Sequence, residues 1–160
     1  MSKSLKRVRA ALETAGLGAD IREVGAARTA AEAAAAVGCA ADQIVKSIVF
    51  RGTQSDRAIL FLTAGGNRVC AEKAAACAGE PLGKADAGLI RAQTGFAIGG
   101  VAPLGHLTPI RAFMDSRLRD FDTVWAAAGT PRHVFPIAPA DLLRLTGALE
   151  TDFTQDPGAT

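Results

Sequence analysis

The chain has 160 residues, 49% of them hydrophobic, and a formal net charge of +2. That length builds one core without staples, and that composition excludes a disordered chain. The weak positive balance excludes a heavily basic nucleic-acid coat but suits a brief phosphate contact, and with aromatics at 5% and no Tyr, stacking platforms for single-stranded bases are scarce.

Ser4 to Ala15 is predicted to be a helix, with Leu5, Val8 and Leu12 on one face and Gly16 as its stop. Thr29 followed three residues later by Glu32 forms a capping-box pattern at the head of the alanine-rich run "AAEAAAAV", which Gly38 ends. "IVKSIVF" and "AILFLTA" are β-branched or apolar runs on either side of the polar "RGTQSD", the pattern of a hairpin. A short helix is expected from Val69 to Ala78, and another from the N-cap Asp86 through Thr94, with Gly95 behind it. "FAIGG", "PIRAFMD", "TVWAAAG" and "HVFPIA" are each read as strands, and Pro139 suits the first turn of a closing helix through Leu145. Residues 1–150 make a single domain, and the aperiodic "TDFTQDPGAT" at 151–160 is read as a frayed tail. Helices and strands mix without a strict βαβ rhythm, so the expected class is α+β.

The first segment carries charge but no apolar signal core, and no apolar run approaches membrane-spanning length. The three cysteines, Cys39, Cys70 and Cys77, form no CxxC pair, and two histidines give no zinc pattern. The expectation is therefore a cytoplasmic protein with free thiols, no metal and no other cofactor.

Lys46 is the most informative single residue. In a strand it shares a face with Ile44, Ile48 and Phe50, an expensive place for an ammonium unless it meets an anion or lines a pocket. A snorkelling or edge-strand lysine fits the pattern equally well. Gly99 and Gly100 inside an apolar run mark either a bulge or a backbone brought close to a ligand, where successive N–H groups can hold a phosphate or an oxyanion. Asp115 in "FMDSRL" is read as a cap or turn acid, and His133 at a strand start leaves pocket lining open. No GxSxG elbow, P-loop or HExxH is present.

Three segments together, "QIVKSIVF", "GFAIGGVAPLGH" and "GTPRHVFPIAPADLLRLTGA", resemble the YbaK/prolyl-tRNA synthetase-associated domain family of aminoacyl-tRNA deacylases. The resemblance runs from about Thr29 to Ala148. It implies a mixed, partly barrel-like sheet with flanking helices. The reaction it implies is hydrolysis of the ester between a mischarged amino acid and the 3′ end of tRNA. Lys46 stands where the family has its functional lysine, and Gly99 to Pro103 match its G-x-x-x-P loop. That loop would bring the backbone of Gly99 and Gly100 to the scissile carbonyl, with Val101, Ala102 and Pro103 beside the substrate. Thr29 and His133 would line the amino-acid pocket. YbaK itself has a tyrosine near Thr29 and a serine close to Val134. This chain has neither, so its segments look more like the branches that clear alanine or other small residues. The implied partners are the acceptor end of aminoacyl-tRNA and prolyl-tRNA synthetase, with no DNA and no membrane. A module that binds tRNA ends without hydrolysing them is the competing expectation.

Overall fold

The computed structural model describes residues 2–156. Its helices are α1 (Lys3–Thr14), α2 (Ala30–Val37), α3 (Ala71–Ala78), α4 (Ala87–Thr94) and α5 (Pro139–Thr146). Its strands are β1 (Arg22–Glu23), β2 (Ile44–Gly52), β3 (Ala58–Ala64), β4 (Leu82–Lys84), β5 (Arg111–Met114), β6 (Val124–Ala127), β7 (His133–Ile137) and β8 (Leu149–Glu150). All eight strands form one mixed sheet in the order β1-β7-β6-β2-β3-β5-β8, with β4 on β2. The class is α+β, as the sequence predicts, and the sheet stays open.

The expected hairpin is the centre of that sheet. β2 and β3 run antiparallel from Val45↔Ala64 to Arg51↔Ala58. β6 then lies parallel to the start of β2, with Ile44↔Trp125 and Val45↔Ala126. Every residue of β3 is buried, because both faces of the sheet are covered. On one face α1, α4 and α5 contribute Val8, Ile90 and Leu142 to a core with Leu60, Leu62, Met114 and Phe135. On the other face α3 covers Ile59, Phe61 and Phe113, and α2 covers Ile44, Trp125 and Val134.

The helix termini follow the expected chemistry. The Thr29 hydroxyl accepts the Glu32 N–H (3.1 Å), but the Glu32 carboxylate reaches back to the Arg28 N–H (3.0 Å) rather than to Thr29. Asp86 accepts the Leu89 N–H at 2.7 Å, and Gly38 and Gly95 close their helices with left-handed backbone.

Two expectations are corrected. "FAIGG" is not a strand: Gly95 ends α4, Phe96 is fully buried, and the chain turns at once, with the Gly100 N–H donated to Ala97 O at 3.0 Å. Apolar alternation read as β here because Phe96 and Val101 face a core, while Ile98 between them is exposed. The segment after Glu150 does not fray as far as Asp156. Phe153 is fully buried against Phe61 (ring centroids 5.0 Å), Thr154 bridges to Val69, and Lys73 pairs with Asp152 and Asp156. A single Phe among polar residues has no periodicity to announce it. Residues 157–160 of the expected tail lie outside the described residues.

Candidate active site

A cavity of about 170 Å³ opens where the N-terminus of α2, the start of β2 and the β6–β7 edge converge. Five residues singled out from sequence line it: Thr29, Lys46, Gly99, Val101 and His133. They come from four separate stretches of chain. The parallel register of β6 on β2 and the packing of α2 over both bring them together.

Lys46 sits opposite Thr63 in the hairpin. Its ammonium donates to the carbonyl oxygen of Asn67, in the turn that follows β3. Burial pushes it below the usual lysine range and the nearby Arg68 adds to this, while Asp115 and Asp42 pull the other way. The lysine is thus neither a free surface group nor half of a tight ion pair. It has one neutral acceptor and capacity for a second, anionic one.

The two glycines play different parts. Gly99 has a left-handed backbone (φ +85°), lines the cavity, and a Cβ there would lie 3.7 Å from the Pro131 ring. Gly100 is buried away from the cavity lining. A Cβ at Gly100 would come within 2.8 Å of the Thr130 backbone, so glycine lets two turns touch. Because its N–H is committed to Ala97 O, Gly100 is not a free donor here. Among the described residues, the N–H groups of Gly99 and Val101 make no backbone hydrogen bond. Ala102 and Pro103 are buried behind this turn and do not line the cavity. His106 buttresses it from below, with Nε2 2.7 Å from Ala102 O.

On the opposite wall, His133 opens β7 with Nδ1 2.6 Å from the Thr130 hydroxyl. That hydroxyl also accepts from the Arg132 N–H (3.2 Å). Where it gives its hydrogen to Nδ1, the neutral ring carries its proton on Nε2, which is then a donor. Ala30, Ala33, Trp125 and Val134 make the apolar part of the wall. Arg22 lies over the Trp125 ring, 4.8 Å from its centroid.

Trp125 and Thr130 escape the sequence reading. Trp125 is recognisable as a strand residue, but its place beside Ile44 depends on a pairing between β6 and β2, far apart in the chain. Thr130 carries no signal beyond its turn. Among the described residues no three His, Cys, Asp or Glu side chains group as metal ligands, and no helix is long and apolar enough to cross a membrane.

Comparison with known proteins identifies the family and the fold. The family model described as "Aminoacyl-tRNA editing domain" matches residues 24–145, which includes all the cavity residues named above. The Bacillus subtilis (strain 168) protein YwhH, described as uncharacterized, is 31% identical over 114 residues, covering 71% of this chain and 72% of its own. A crystal structure described as "a putative trans-editing enzyme for prolyl tRNA synthetase" is 48% identical and superposes with a TM-score of 0.90, covering 98% of this chain and 99% of that one. The crystal structure of hypothetical protein APE2540 is 25% identical, with a TM-score of 0.83 over 93% of this chain and 99% of that one. By its match to the family model and its likeness to these relatives, the chain belongs to the aminoacyl-tRNA editing domain family.

Proposed function

We propose that this protein is a cytoplasmic trans-editing hydrolase that removes a small amino acid, such as alanine, 2-aminobutyrate or cysteine, from mischarged tRNA-Pro. The observation that carries the proposal is the cavity itself. It combines a lysine able to take a second, anionic acceptor, two backbone N–H groups without acceptors, and a small apolar wall.

The ester between an amino acid and the 3′-terminal ribose is already activated, so no protein nucleophile is needed. Water attacks the carbonyl carbon, the C–O bond to the ribose breaks, and the products are free amino acid and the tRNA 3′-hydroxyl. The neighbouring ribose hydroxyl orients the water. The N–H groups of Gly99 and Val101 receive the tetrahedral oxyanion, a contribution of about 3 kcal/mol to the transition state per donor. Gly100 shapes the turn that presents them. Lys46 holds the terminal phosphate or a polar group of the substrate. Thr29 and His133 bound the amino-acid pocket, and His133 offers Nε2–H to the substrate's polar end. Ala30, Ala33, Trp125 and Val134 limit side-chain volume. Volume alone discriminates by about 1–3 kcal/mol per methylene, so proline must be refused by shape.

The test is deacylation of tRNA-Pro charged separately with alanine, 2-aminobutyrate, serine, cysteine and proline, without ATP or metal. Rapid loss of one or more small amino acids with proline retained is the expected result. Tight binding of these tRNAs with no hydrolysis of any would overturn the proposal in favour of a tRNA-delivery module.

A further inference from the structure

We propose that Asp115 is a positioning residue for Lys46, acting through the Gly65-Gly66-Asn67 turn; this rests on the deacylase reading above. Asp115 is 3% exposed, and a buried carboxylate is costly unless its oxygens are satisfied. One oxygen does what the sequence predicts, capping the 3₁₀ turn Ser116–Asp120 by accepting the Arg117 N–H at 3.0 Å. The other points elsewhere. Oδ2 accepts the Ala64 N–H at 3.1 Å and the Asn67 side-chain amide at 2.9 Å. Those bonds pin both ends of the turn whose Asn67 carbonyl receives the Lys46 ammonium.

The turn is fixed from its other side as well. The Gly66 N–H donates to Asp42 at 2.7 Å, and Asp42 in turn accepts from Arg117 at 3.0 Å. A Cβ on Gly65 would lie 2.0 Å from Ala41 O, and one on Gly66 2.3 Å from the Asp42 carboxylate. The segment therefore cannot relax without breaking contacts to both acids. A cap alone needs one carboxylate oxygen. The second oxygen holds the side chain of the residue whose carbonyl receives the lysine, which gives Asp115 a role in placing the ammonium at the cavity. The charged groups facing Lys46 are Asp115, Asp42 and Arg68, and Arg28 and His133 line the same cavity. Removing the Asp115 charge takes away one of the two influences that hold the ammonium protonated.

The test is Asp115→Asn, compared with wild type by NMR titration of ¹³C-labelled lysine, with the Lys46 signal assigned by its loss in Lys46→Ala. Deacylation kinetics and thermal unfolding are measured alongside. The expected result is a Lys46 titration moved to lower pH, the alkaline limb of kcat moved with it, and kcat down about tenfold with KM within twofold. A folded Asp115→Asn with the wild-type Lys46 titration and wild-type kcat overturns the proposal. Asn67→Ala cuts the link while leaving the carboxylate in place. It is expected to stay folded with a modestly lower melting temperature and to lose about tenfold in kcat with KM within twofold. If Asp115→Asn does not fold, a wild-type kcat in Asn67→Ala overturns the proposal. Should the wild type hydrolyse no aminoacyl ester, the deacylase reading fails alone, because the lysine titration still decides whether Asp115 acts on Lys46.

Discussion

The strand that carries Lys46 and the turn that carries Gly99 both border one cavity, yet they are built on opposite principles. β2 is held by a regular ladder to β3, and its side chains alternate between two covered faces. The lysine's position follows from register alone. The 97–100 turn has no ladder. It is held by one turn hydrogen bond, by contact with the Thr130 backbone, and by the buried Phe96 and half-buried His106 beneath it. A site that needs a side chain can take it from regular structure. A site that needs bare N–H groups has to leave regular structure, because a ladder would consume them.

The contrast can be broken most forcefully at Gly100. Gly100→Val drives a branched side chain into the Thr130 backbone, and the cost is about 1–3 kcal/mol of stability. Displacement of the turn by about 1 Å would also cost about 100-fold in rate. Denaturant midpoints and single-turnover rates measure the two losses separately. The same substitution at an exposed glycine with ordinary φ and open space, Gly18, should change neither.

Gly99→Ala is the milder perturbation. Its Cβ has room beside Pro131, but the left-handed backbone costs about 1 kcal/mol for an alanine. Expected is a small fall in melting temperature with a several-fold lower rate. A rate equal to wild type would mean that the turn accepts a side chain without moving the Gly99 N–H.

The smallest effect is at His106, under the turn. Burial pushes its ring below the usual histidine range, and Arg7 acts in the same direction, while the bond to Ala102 O opposes them. The unfolded chain therefore binds a proton that the folded one refuses. The His106 contribution to stability is fully present above about pH 6.5 and is lost as pH falls through the lowered folded value. Chemical denaturation of wild type and His106→Gln across that range should show a steeper acid-side decline in the wild type. Parallel curves would show that the buried ring titrates no differently on folding.

The same contrast explains what could be read from the sequence. Lys46 was legible because strand alternation is local: its apolar neighbours two residues away mark its face. The helix ends at Thr29, Gly38, Asp86 and Gly95 were legible because caps are local chemistry. The turn reads as a strand because Phe96 and Ile98 mimic apolar alternation, and the inward packing of one and exposure of the other depend on α1 and the Thr130 turn. Trp125 and the second oxygen of Asp115 were invisible for the same reason, since each acts on a partner far away in sequence. Phe153 carries no local signal because its pocket is made by β3 and α3.

The central claim is that Lys46 and the backbone beside Gly99 together hydrolyse an aminoacyl ester. The most direct measurement is the single-turnover rate of alanine release from alanyl-tRNA-Pro by the wild type and by Lys46→Ala, without ATP or metal. Hydrolysis by the wild type is expected, with a loss of about 10- to 100-fold in the variant, the worth of a charge-assisted contact. A folded Lys46→Ala that releases alanine as fast as the wild type would contradict it.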